Sequence, residues 1–391
     1  MVAPFFFSSK QIVTMTQNSA RDFDDIQGAL TTEYLRLLVE QGLVVPDQPL
    51  TENQFQPSSL DLTLSAEGYK LPGSILPLRG ESVRDALDSF HARPIDLTDP
   101  IFLDRGQVYL IRLNESLRLP KTIGAYTNNK SSTGRIDLQT RTISDGNPRY
   151  EKHARGYHGD LWIEVISKSF DIRVSQGISL NQAIFYGERQ ILDDRELLEL
   201  MNEDPLLFDK NGNALVTEDA VVDHGLMMSV DLEQDIVGFV AKKSPEPLLL
   251  DQPGSHDPSE FFDPITRPKN GRLLLMKGRF YILSTLEYLR VPTNFAVEML
   301  PYETTAGEFR AHYAGFFDPG FGYGAEGEVL GTPAVLEVRP YDDDLILRHS
   351  QPICKMAYER LCGSTELVYG ASGTNHYAHQ RGPRLSKYFT G

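Results

Sequence analysis

The sequence predicts a mainly β protein built from two tandem copies of one β-barrel or jelly-roll-like domain, with a few short helices. Short segments rich in Val, Ile, Leu, Tyr and Phe alternate with Gly, Pro, Asn and Asp, which is the pattern of strands and turns. The segment "GQVYLIRLNESLRLP" from Gly106 returns as "GRFYILSTLEYLRVP" from Gly278, at an offset of 172 residues. Together the two observations favour a duplicated β domain.

The repeat continues towards the end of each copy. Glu164 in "DLWIEVIS" matches Glu337 in "AVLEVRP", and Phe185 in "NQAIFYGER" matches Tyr358 in "CKMAYERL", both at an offset of 173 residues. A nearly constant offset indicates an internal duplication with small insertions, not a chance similarity.

The domain organisation follows from this repeat and from two helical segments. "LTTEYLRLLVEQG" has the apolar spacing and the glycine stop of a helix, and "DDRELLELMNED" forms a second helix between the copies. The predicted order is a flexible N-terminal extension (1–25) that starts at Met1 or Met15 and has no signal-peptide pattern, a first domain (26–190), a bridging helix and linker (191–225), a second domain (226–368) and a C-terminal flap (369–391).

The composition is that of a globular, acidic protein. Hydrophobic residues make up 40% of the 391 residues, charged residues 24%, and the formal net charge is −16. Nucleic-acid binding over the whole surface is excluded, because phosphate neutralisation needs a basic face, and no apolar run has the length of a membrane span. The two cysteines, Cys354 and Cys362, indicate a reducing, cytoplasmic location and lack the zinc-deaminase spacing.

A cluster of hydroxyls and positive charges in "KSSTGR" is a candidate phosphate-binding loop. Ser131 and Ser132 offer hydroxyl groups, Gly134 lets a ligand approach the backbone, and Lys130 and Arg135 supply charge. The planar guanidinium of arginine is well suited to grip phosphate oxygens. A Ser/Thr-rich surface turn is the alternative interpretation.

The second candidate loop is "AGFFDPGFGYG", Ala314 to Gly324. Asp318 would accept a hydrogen bond from a sugar hydroxyl, Phe317 and Phe321 would cover the sugar and base, and Gly320 would form the turn. The alternative is an ordinary β-hairpin loop, in which Asp-Pro-Gly is common turn chemistry.

A lone acid occurs inside an apolar strand in each copy. Glu337 is the first candidate for a general acid/base, and Glu164 is the second. An inward-facing carboxyl would have a raised pKa, which suits proton transfer. The alternative is that these carboxylates face solvent, since the two faces of a strand alternate.

The tail "YGASGTNHYAHQRGPRLSKYF" collects basic residues in an otherwise acidic chain. Its candidate ligand-binding residues are Tyr369, His376, Gln380 and Arg381. We interpret this tail as a flap that closes over a polyphosphate, and a disordered tail is the alternative.

Taken together, these motifs resemble the dCTP deaminase branch of the trimeric dUTPase-like superfamily, in its tandem two-domain form. The resemblance covers roughly residues 30 to 391, because "QPSSLDLTL", "KSSTGR", "AGFFDPGF" with "LEV", and the tail follow the family's order. It implies a dUTPase-like fold and the hydrolysis of dCTP to dUTP and ammonia with a glutamate as general acid/base. It also implies Mg²⁺ accompanying the triphosphate, no catalytic metal, possible feedback by dTTP, and a homo-oligomer with a trimer favoured.

The two copies depart from the family pattern in complementary ways. The first copy keeps "KSSTGR" but has Ala154 and Arg155 where Asp-Pro belongs, while the second keeps Asp318 and Glu337 but reads "PYETTAGEFR" at the phosphate position. Because sites of this superfamily form between domains, we expect the loop Lys130–Arg135 to pair with the second copy. The reciprocal site would be degenerate, and Glu164 would be a relic or structural.

Two alternatives remain open at this point. A dUTPase, or a bifunctional enzyme that also hydrolyses dUTP to dUMP, would use the same fold, but Phe321 and Glu337 favour the deaminase. A non-catalytic nucleotide-binding protein would also account for the partly lost motifs.

Overall fold

The computed structural model describes residues 23–218, 220–302, 309–311, 315–370, 377 and 380–390. Its helices are α1 (Thr32–Glu40), α2 (Val83–Ser89), α3 (Ser131–Gly134) and α4 (Asp194–Glu203), with 3-10 turns at Glu52–Gln54 and Pro258–Glu260. Capping boxes begin α2 and α4, where the Ser82 and Asp193 side chains each accept from the backbone N–H three residues later. No helix among the described residues is long and apolar enough to span a bilayer.

Most of the described chain forms β-strands. The strands before the bridging segment are β1 (Val44–Pro46), β2 (Leu60–Leu71), β3 (Arg93–Asp96), β4 (Ile101–Leu103), β5 (Val108–Arg118), β6 (Gly124–Asn129), β7 (Leu138–Ser144), β8 (Lys152–His153), β9 (His158–Ser167), β10 (Ile172–Val174) and β11 (Ser179–Tyr186). The main sheet has the order β7-β9-β5-β2-β11-β6-β8. This non-sequential order belongs to a barrel-like sheet.

The later strands are β12 (Leu207–Phe208), β13 (Leu226–Ser229), β14 (Ile236–Ala241), β15 (Leu248–Leu249), β16 (Phe262–Thr266), β17 (Arg272–Leu275), β18 (Tyr281–Leu289), β19 (Phe295–Pro301), β20 (Phe309–Ala311), β21 (Phe316–Phe317), β22 (Thr332–Pro340), β23 (Leu345–Arg348) and β24 (Pro352–Arg360). They form two main sheets, with the orders β16-β14-β18-β22-β20 and β13-β24-β19-β21. The predicted mainly β fold of two tandem domains is therefore confirmed.

The internal repeat is visible in the strand register. Tyr109 pairs with Val165 between β5 and β9, and the equivalent Tyr281 pairs with Val338 between β18 and β22. Both pairings are interrupted by a register shift at the same place, before Ser116 in the first lobe (26–190) and its equivalent in the second lobe (226–368). Equivalent registers and equivalent bulges indicate that the copies share one backbone plan.

Each of these bulges contains a glutamate, the buried Glu115 in the first lobe and the half-buried Glu287 in the second. Glu115 accepts hydrogen bonds from the Thr63 N–H at 2.9 Å, the Thr63 hydroxyl at 2.8 Å and Gln54 Nε2 at 3.0 Å. Glu287 accepts from the backbone N–H of Ser229 at 2.8 Å and from its hydroxyl at 2.5 Å. Burial raises the pKa of Glu115 to about 7 and also raises the pKa of Glu287.

The two lobes are joined through a common apolar core. One buried cluster includes Leu62 and Ile111 of the first lobe together with Phe262 and Ile282 of the second. Strand β15 of the second lobe also adds in parallel to β10 of the first, where Ile172 pairs with Leu248. The lobes therefore form a fixed junction, as continuous apolar burial disfavours separation of the two lobes.

The bridging segment packs on the second lobe. Leu197 and Met201 of α4 and Leu207 of β12 belong to the buried cluster that also contains Leu289 and Phe295. Strand β12 pairs with β18. The segment thus contributes apolar contacts to the second core in addition to connecting the copies.

We predict that Glu115→Gln makes stability less dependent on pH. The folded pKa of Glu115, about 7, lies above the ordinary glutamate value of about 4.3, so the folded state keeps its proton longer. Its stabilising contribution is complete below the unfolded pKa and is lost as pH rises through 7, at no more than about 1.4 kcal/mol per pH unit. Urea unfolding midpoints between pH 5 and 7.5 should fall less steeply in the variant.

Glu52→Gln is the matched control for this measurement. Glu52 is exposed, and a hydrogen bond from Arg36 lowers its pKa, so the replacement should leave the decline with pH unchanged. An equally steep decline in Glu115→Gln and the parent would show that Glu115 does not retain its proton in the folded state.

Candidate active site

A cavity of about 860 Å³ lies where the two lobes meet, which is within the size range of small-ligand sites. Its lining includes residues of the first lobe (among them Asp61, Lys130, Ser131, Ser132 and Arg135), of the second lobe (among them Phe317, Asp318, Phe321 and Glu337) and of the tail (Tyr369, Tyr377 and Lys387). Amide and hydroxyl side chains such as Gln54, Asn114 and Gln182 complete the wall. Residues separated by about half the chain therefore share one enclosure.

The loop that carries the serines is held rigidly by its own side chains. The hydroxyl of Thr133 donates to the Lys130 carbonyl at 2.7 Å and the Leu180 carbonyl at 2.9 Å. Asn129 donates to the Leu138 carbonyl at 2.7 Å, which ties the end of β6 to the start of β7. The single turn of α3 is consequently fixed between two strands, with its Ser132 side directed at the cavity.

The carboxylate of Glu337 packs directly on Gly134 of this loop. A Cβ atom placed on Gly134 would lie 2.9 Å from Cδ and Oε1 of Glu337 and 3.0 Å from Oε2. Glu337 is buried on β22, paired with Ile282 in the neighbouring strand. The glycine therefore leaves the space that the second-lobe carboxylate occupies.

Asp318 lies buried in the same cavity, against strand β2 of the first lobe. It accepts a hydrogen bond from the Ser58 N–H at 3.2 Å. Burial raises the pKa of Asp318 to about 7, and the negative charge of Asp61 acts in the same direction. Asp61 of β2 is itself ion-paired with Lys130, so it connects the surroundings of Asp318 to the candidate phosphate-binding loop.

Aromatic side chains form one wall beside Asp318. The rings of Phe317 and Phe321 meet edge to face, with centroids 4.8 Å apart, and the ring of Tyr369 lies 5.4 Å from Phe321. Gly320 adopts a φ of +92°, and a Cβ there would lie 2.2 Å from Val368. The turn thus requires glycine to bring the loop under the start of the tail.

The C-terminal tail closes over Arg135. The guanidinium stacks on the Tyr377 ring at 3.7 Å and donates to the Arg384 carbonyl at 3.0 Å and to Gln380 Oε1 at 3.1 Å. Gln380 also donates to the Pro333 carbonyl of β22 at 2.6 Å. Among the described residues, no acceptor meets the buried Nε of Arg135.

The last residues of the tail anchor it to the first lobe. The Ser386 hydroxyl donates to the Ser132 carbonyl at 2.7 Å. The pKa of Lys387 is lowered by burial and by the nearby charge of Lys130. The ring of Phe389 packs into the common core against Phe261. Three positive side chains of the cavity therefore lie around the two serines.

Family models match nearly the whole chain. The N-terminal domain of 2'-deoxycytidine 5'-triphosphate deaminase matches residues 26–189, and the C-terminal domain of the same family matches residues 193–389. The chain belongs to the dCTP deaminase family. Members of this family are hydrolases that act on the C–N bond of a cytosine nucleotide, which agrees with a cavity that combines cations, aromatic rings and a buried carboxylate.

Known deaminases are similar in structure and in sequence. The 2'-deoxycytidine 5'-triphosphate deaminase of Agrobacterium tumefaciens superposes with a TM-score of 0.79 and 35% identity, covering 85% of this chain and 99% of that one. The dCTP deaminase of Acidianus ambivalens is 25% identical over 39% of this chain and 79% of its own length. The dUMP-forming dCTP deaminase of Methanothermobacter thermautotrophicus is 27% identical over 35% of this chain and 66% of its own length.

The second candidate acid, Glu164, does not line this cavity. Its Oε1 accepts from Arg141 Nε at 2.9 Å, and the guanidinium of Arg141 stacks on Tyr150 at 3.9 Å. Arg141 also donates to Ser74 at 3.1 Å. In the deaminase fold of this chain, the buried Glu164 is thus engaged by an arginine of the adjacent strand, β7.

The structure brings most of the sequence-predicted site residues together. Lys130, Ser131, Ser132, Arg135, Phe317, Asp318, Phe321, Glu337 and Tyr369 line the cavity, Gly134 and Gly320 shape it, and Gln380 contacts it through Arg135. The side chain of Arg381 is exposed, and its carbonyl accepts a hydrogen bond from the Tyr288 hydroxyl at 3.1 Å. His376 lies outside the described residues. The described residues contain no group of three or more His, Cys, Asp or Glu side chains arranged for a metal ion.

Sequence reasoning missed the contributions of Asp61 and Tyr377, and it identified Lys387 only as one of the basic residues of the tail. Asp61 carried a recognisable signal, because polar residues alternate with leucines in "SSLDLTL" and therefore share one face of β2. The pairing of Asp61 with Lys130 had no local signal, since Asp61 lies on β2 and Lys130 lies far along the chain, at the start of α3. Tyr377 and Lys387 belong to the tail, whose path depends on tertiary contacts.

We predict that Gly134→Ala sharply reduces dCTP deamination. The new Cβ would lie within 3.0 Å of the Glu337 carboxyl, so the carboxylate or the loop must move. A displacement of this kind typically costs about 10²-fold in rate. Steady-state kcat with dCTP is the measurement.

Gly73→Ala is the matched control, because a Cβ at Gly73 would meet nothing within 4 Å. Its kcat should equal that of the parent. A Gly134→Ala protein with parental kcat would show that the packing of Glu337 on Gly134 is not needed for turnover.

Proposed function

We propose that this chain hydrolyses dCTP to dUTP and ammonia at the cavity between its lobes, with Glu337 as general acid/base. The observation that carries the proposal is the packing of the buried Glu337 carboxylate on Gly134, in one enclosure with Asp318. One nucleotide in this cavity could therefore reach the protonatable Glu337, the hydrogen-bond acceptor Asp318 and the donors of the candidate phosphate-binding loop.

The proposed substrate orientation follows from the charges of the lining. Lys130, Ser131, Ser132 and Arg135 supply donors and positive charge for the triphosphate, and Lys387 adds a further cation. Charge-assisted and bidentate contacts of this type are the strong ones for phosphate. At the other end, Asp318 accepts from the deoxyribose hydroxyl, and Phe317 and Phe321 cover the sugar and base.

In the proposed reaction, Glu337 removes a proton from water as the water oxygen bonds to C4 of cytosine. The same proton passes to N3, which gives a tetrahedral intermediate. Glu337 then transfers the remaining proton of the former water, now on the C4 hydroxyl group, to the amino nitrogen. The C4–N bond breaks, ammonia leaves, and C4 becomes the carbonyl carbon of dUTP. A positioned general acid/base of this kind typically contributes about 10²–10⁴ in rate.

Further properties belong to this proposal. Mg²⁺ enters as part of the substrate, held by the triphosphate, and dTTP acts as a feedback inhibitor that occupies the same donors. The enzyme works in the cytoplasm, in keeping with the free cysteines Cys354 and Cys362. We also propose a homo-oligomer, for which light scattering is the test, although one chain supplies both halves of the cavity.

A second candidate is a bifunctional enzyme that goes on to form dUMP. The Methanothermobacter relative carries the name of a dUMP-forming dCTP deaminase and matches 35% of this chain. Deamination acts on dCTP and the second hydrolysis on dUTP, and both triphosphates would bind through the same phosphate donors, so one cavity could serve both activities.

A product analysis tests the function. Purified protein is incubated with dCTP and Mg²⁺, nucleotides are separated by chromatography, and ammonia is measured independently. We expect dUTP and ammonia in equal amounts. dUMP and pyrophosphate with ammonia would establish the bifunctional enzyme, whereas dUMP from supplied dUTP without any product from dCTP would refute the deaminase. No product from either nucleotide would indicate a binding protein.

The two candidate glutamates give a matched pair of variants. Glu337→Gln should lower kcat by at least about 10²-fold, because the amide cannot take up a proton. Glu164→Gln should keep kcat within a few-fold of the parent and lower thermal stability, since it weakens a buried ion pair with Arg141. Parental turnover in Glu337→Gln together with loss of turnover in Glu164→Gln would reverse our assignment.

A further inference from the structure

A second contact between the lobes lies immediately beside Glu337. Arg339 Nε donates to Asp137 Oδ1 at 3.2 Å, and Nη2 of the same side chain donates to Asp137 Oδ2. Arg339 also donates to the Ser169 hydroxyl at 3.0 Å and to the Gly278 carbonyl. Ser169 in turn donates to Asp137 Oδ2 at 2.5 Å. The pair is bidentate, buried and supported on both sides.

The backbone conformation at Asp137 indicates that its carboxylate is structurally required. Asp137 is fully buried and adopts a φ of +58°, a left-handed conformation that glycine would adopt with least strain. Aspartate tolerates this region better than most residues, yet burying an unpaired carboxylate would be costly. The ion pair with Arg339 compensates for the charge and makes aspartate, not glycine, the residue that fits.

Sequence spacing connects the pair to the site. Glu337 and Arg339 are two residues apart on β22, so both side chains leave the same face of the strand. That face lies along the first lobe, where Glu337 meets Gly134 and Arg339 meets Asp137. These two contacts, at positions 337 and 339, fix both the distance and the register between β22 and the loop that contains Gly134.

We propose that Asp137 and Arg339 are positioning residues that hold Glu337 in register with the phosphate-binding loop. The inference rests on the proposed role of Glu337 as general acid/base. Neither residue lines the cavity, so neither contacts the nucleotide. Their effect is on the chemical step, because phosphate contacts on the first lobe keep the substrate bound while the carboxylate loses its position relative to C4.

The test compares Asp137→Asn and Arg339→Lys with a control ion pair. Arg173 and Asp251 form another bidentate contact between the lobes, at 3.0 and 2.7 Å, that is absent from the cavity lining. We expect kcat to fall about 10- to 100-fold in both test variants, with the KM for dCTP within threefold of the parent. Asp251→Asn should lower the melting temperature and leave kcat and KM unchanged.

Two additional variants separate positioning from folding. Asp137→Gly removes the carboxylate but suits the left-handed backbone, so it should fold and still lose kcat. The kcat of the double variant Asp137→Asn with Arg339→Lys should be no lower than that of the more impaired single variant, because the two residues act as one unit. Folded single variants with parental kcat, or equal kcat losses in Asp251→Asn, would overturn the inference.

The Glu337→Gln variant separates a failure of the positioning inference from a failure of the proposed function. If Glu337→Gln is inactive while Asp137→Asn is fully active, the positioning inference fails and the proposed function stands. If Glu337→Gln retains parental kcat, the proposed role of Glu337 fails, and with it the reason for holding that carboxylate in register.

Discussion

The site depends on burying acidic groups at a junction between two lobes, where each buried charge requires compensation. Glu337 and Asp318 belong to the second lobe, whereas the groups beside them, Gly134 and the N–H of Ser58, belong to the first. Separating the lobes would return these carboxylates to water and dissolve the cavity. The common apolar core is therefore a functional element, because it supplies the free energy that keeps the charged faces together.

The tail extends the same principle to the cations. Arg135 is buried, and burial lowers its pKa, but the Tyr377 ring and two oxygen acceptors of the tail compensate for lost hydration. Because Gln380 contacts both Arg135 and the Pro333 carbonyl, the tail also connects the loop to the strand that carries the candidate acid. The tail is consequently part of the wall and not simply a cover over a preformed pocket.

The sequence predicts much of this arrangement, for identifiable reasons. A repeat with a nearly constant offset identifies which strands of the two copies correspond. The matched strand registers at Tyr109 and Tyr281 therefore follow from the sequence. Complementary motif losses likewise predict that the loop of one lobe meets Asp318 of the other. The ion pair of Asp61 with Lys130 is not predictable in this way, because it joins a strand to the start of a helix that lies 69 residues further along the chain. The exposed position of Arg381 follows from the tail's path, which local composition does not specify.

Duplication within one chain allows structural and chemical requirements to be separated. Both copies have a glutamate in the strand bulge, Glu115 and Glu287, whose carboxylate accepts hydrogen bonds from a neighbouring strand, which indicates that each bulge needs this carboxyl. The strand acids have diverged in environment, since Glu337 faces the cavity while Glu164 pairs with Arg141. One complete cavity requires only one set of each motif, so the second set is free to change.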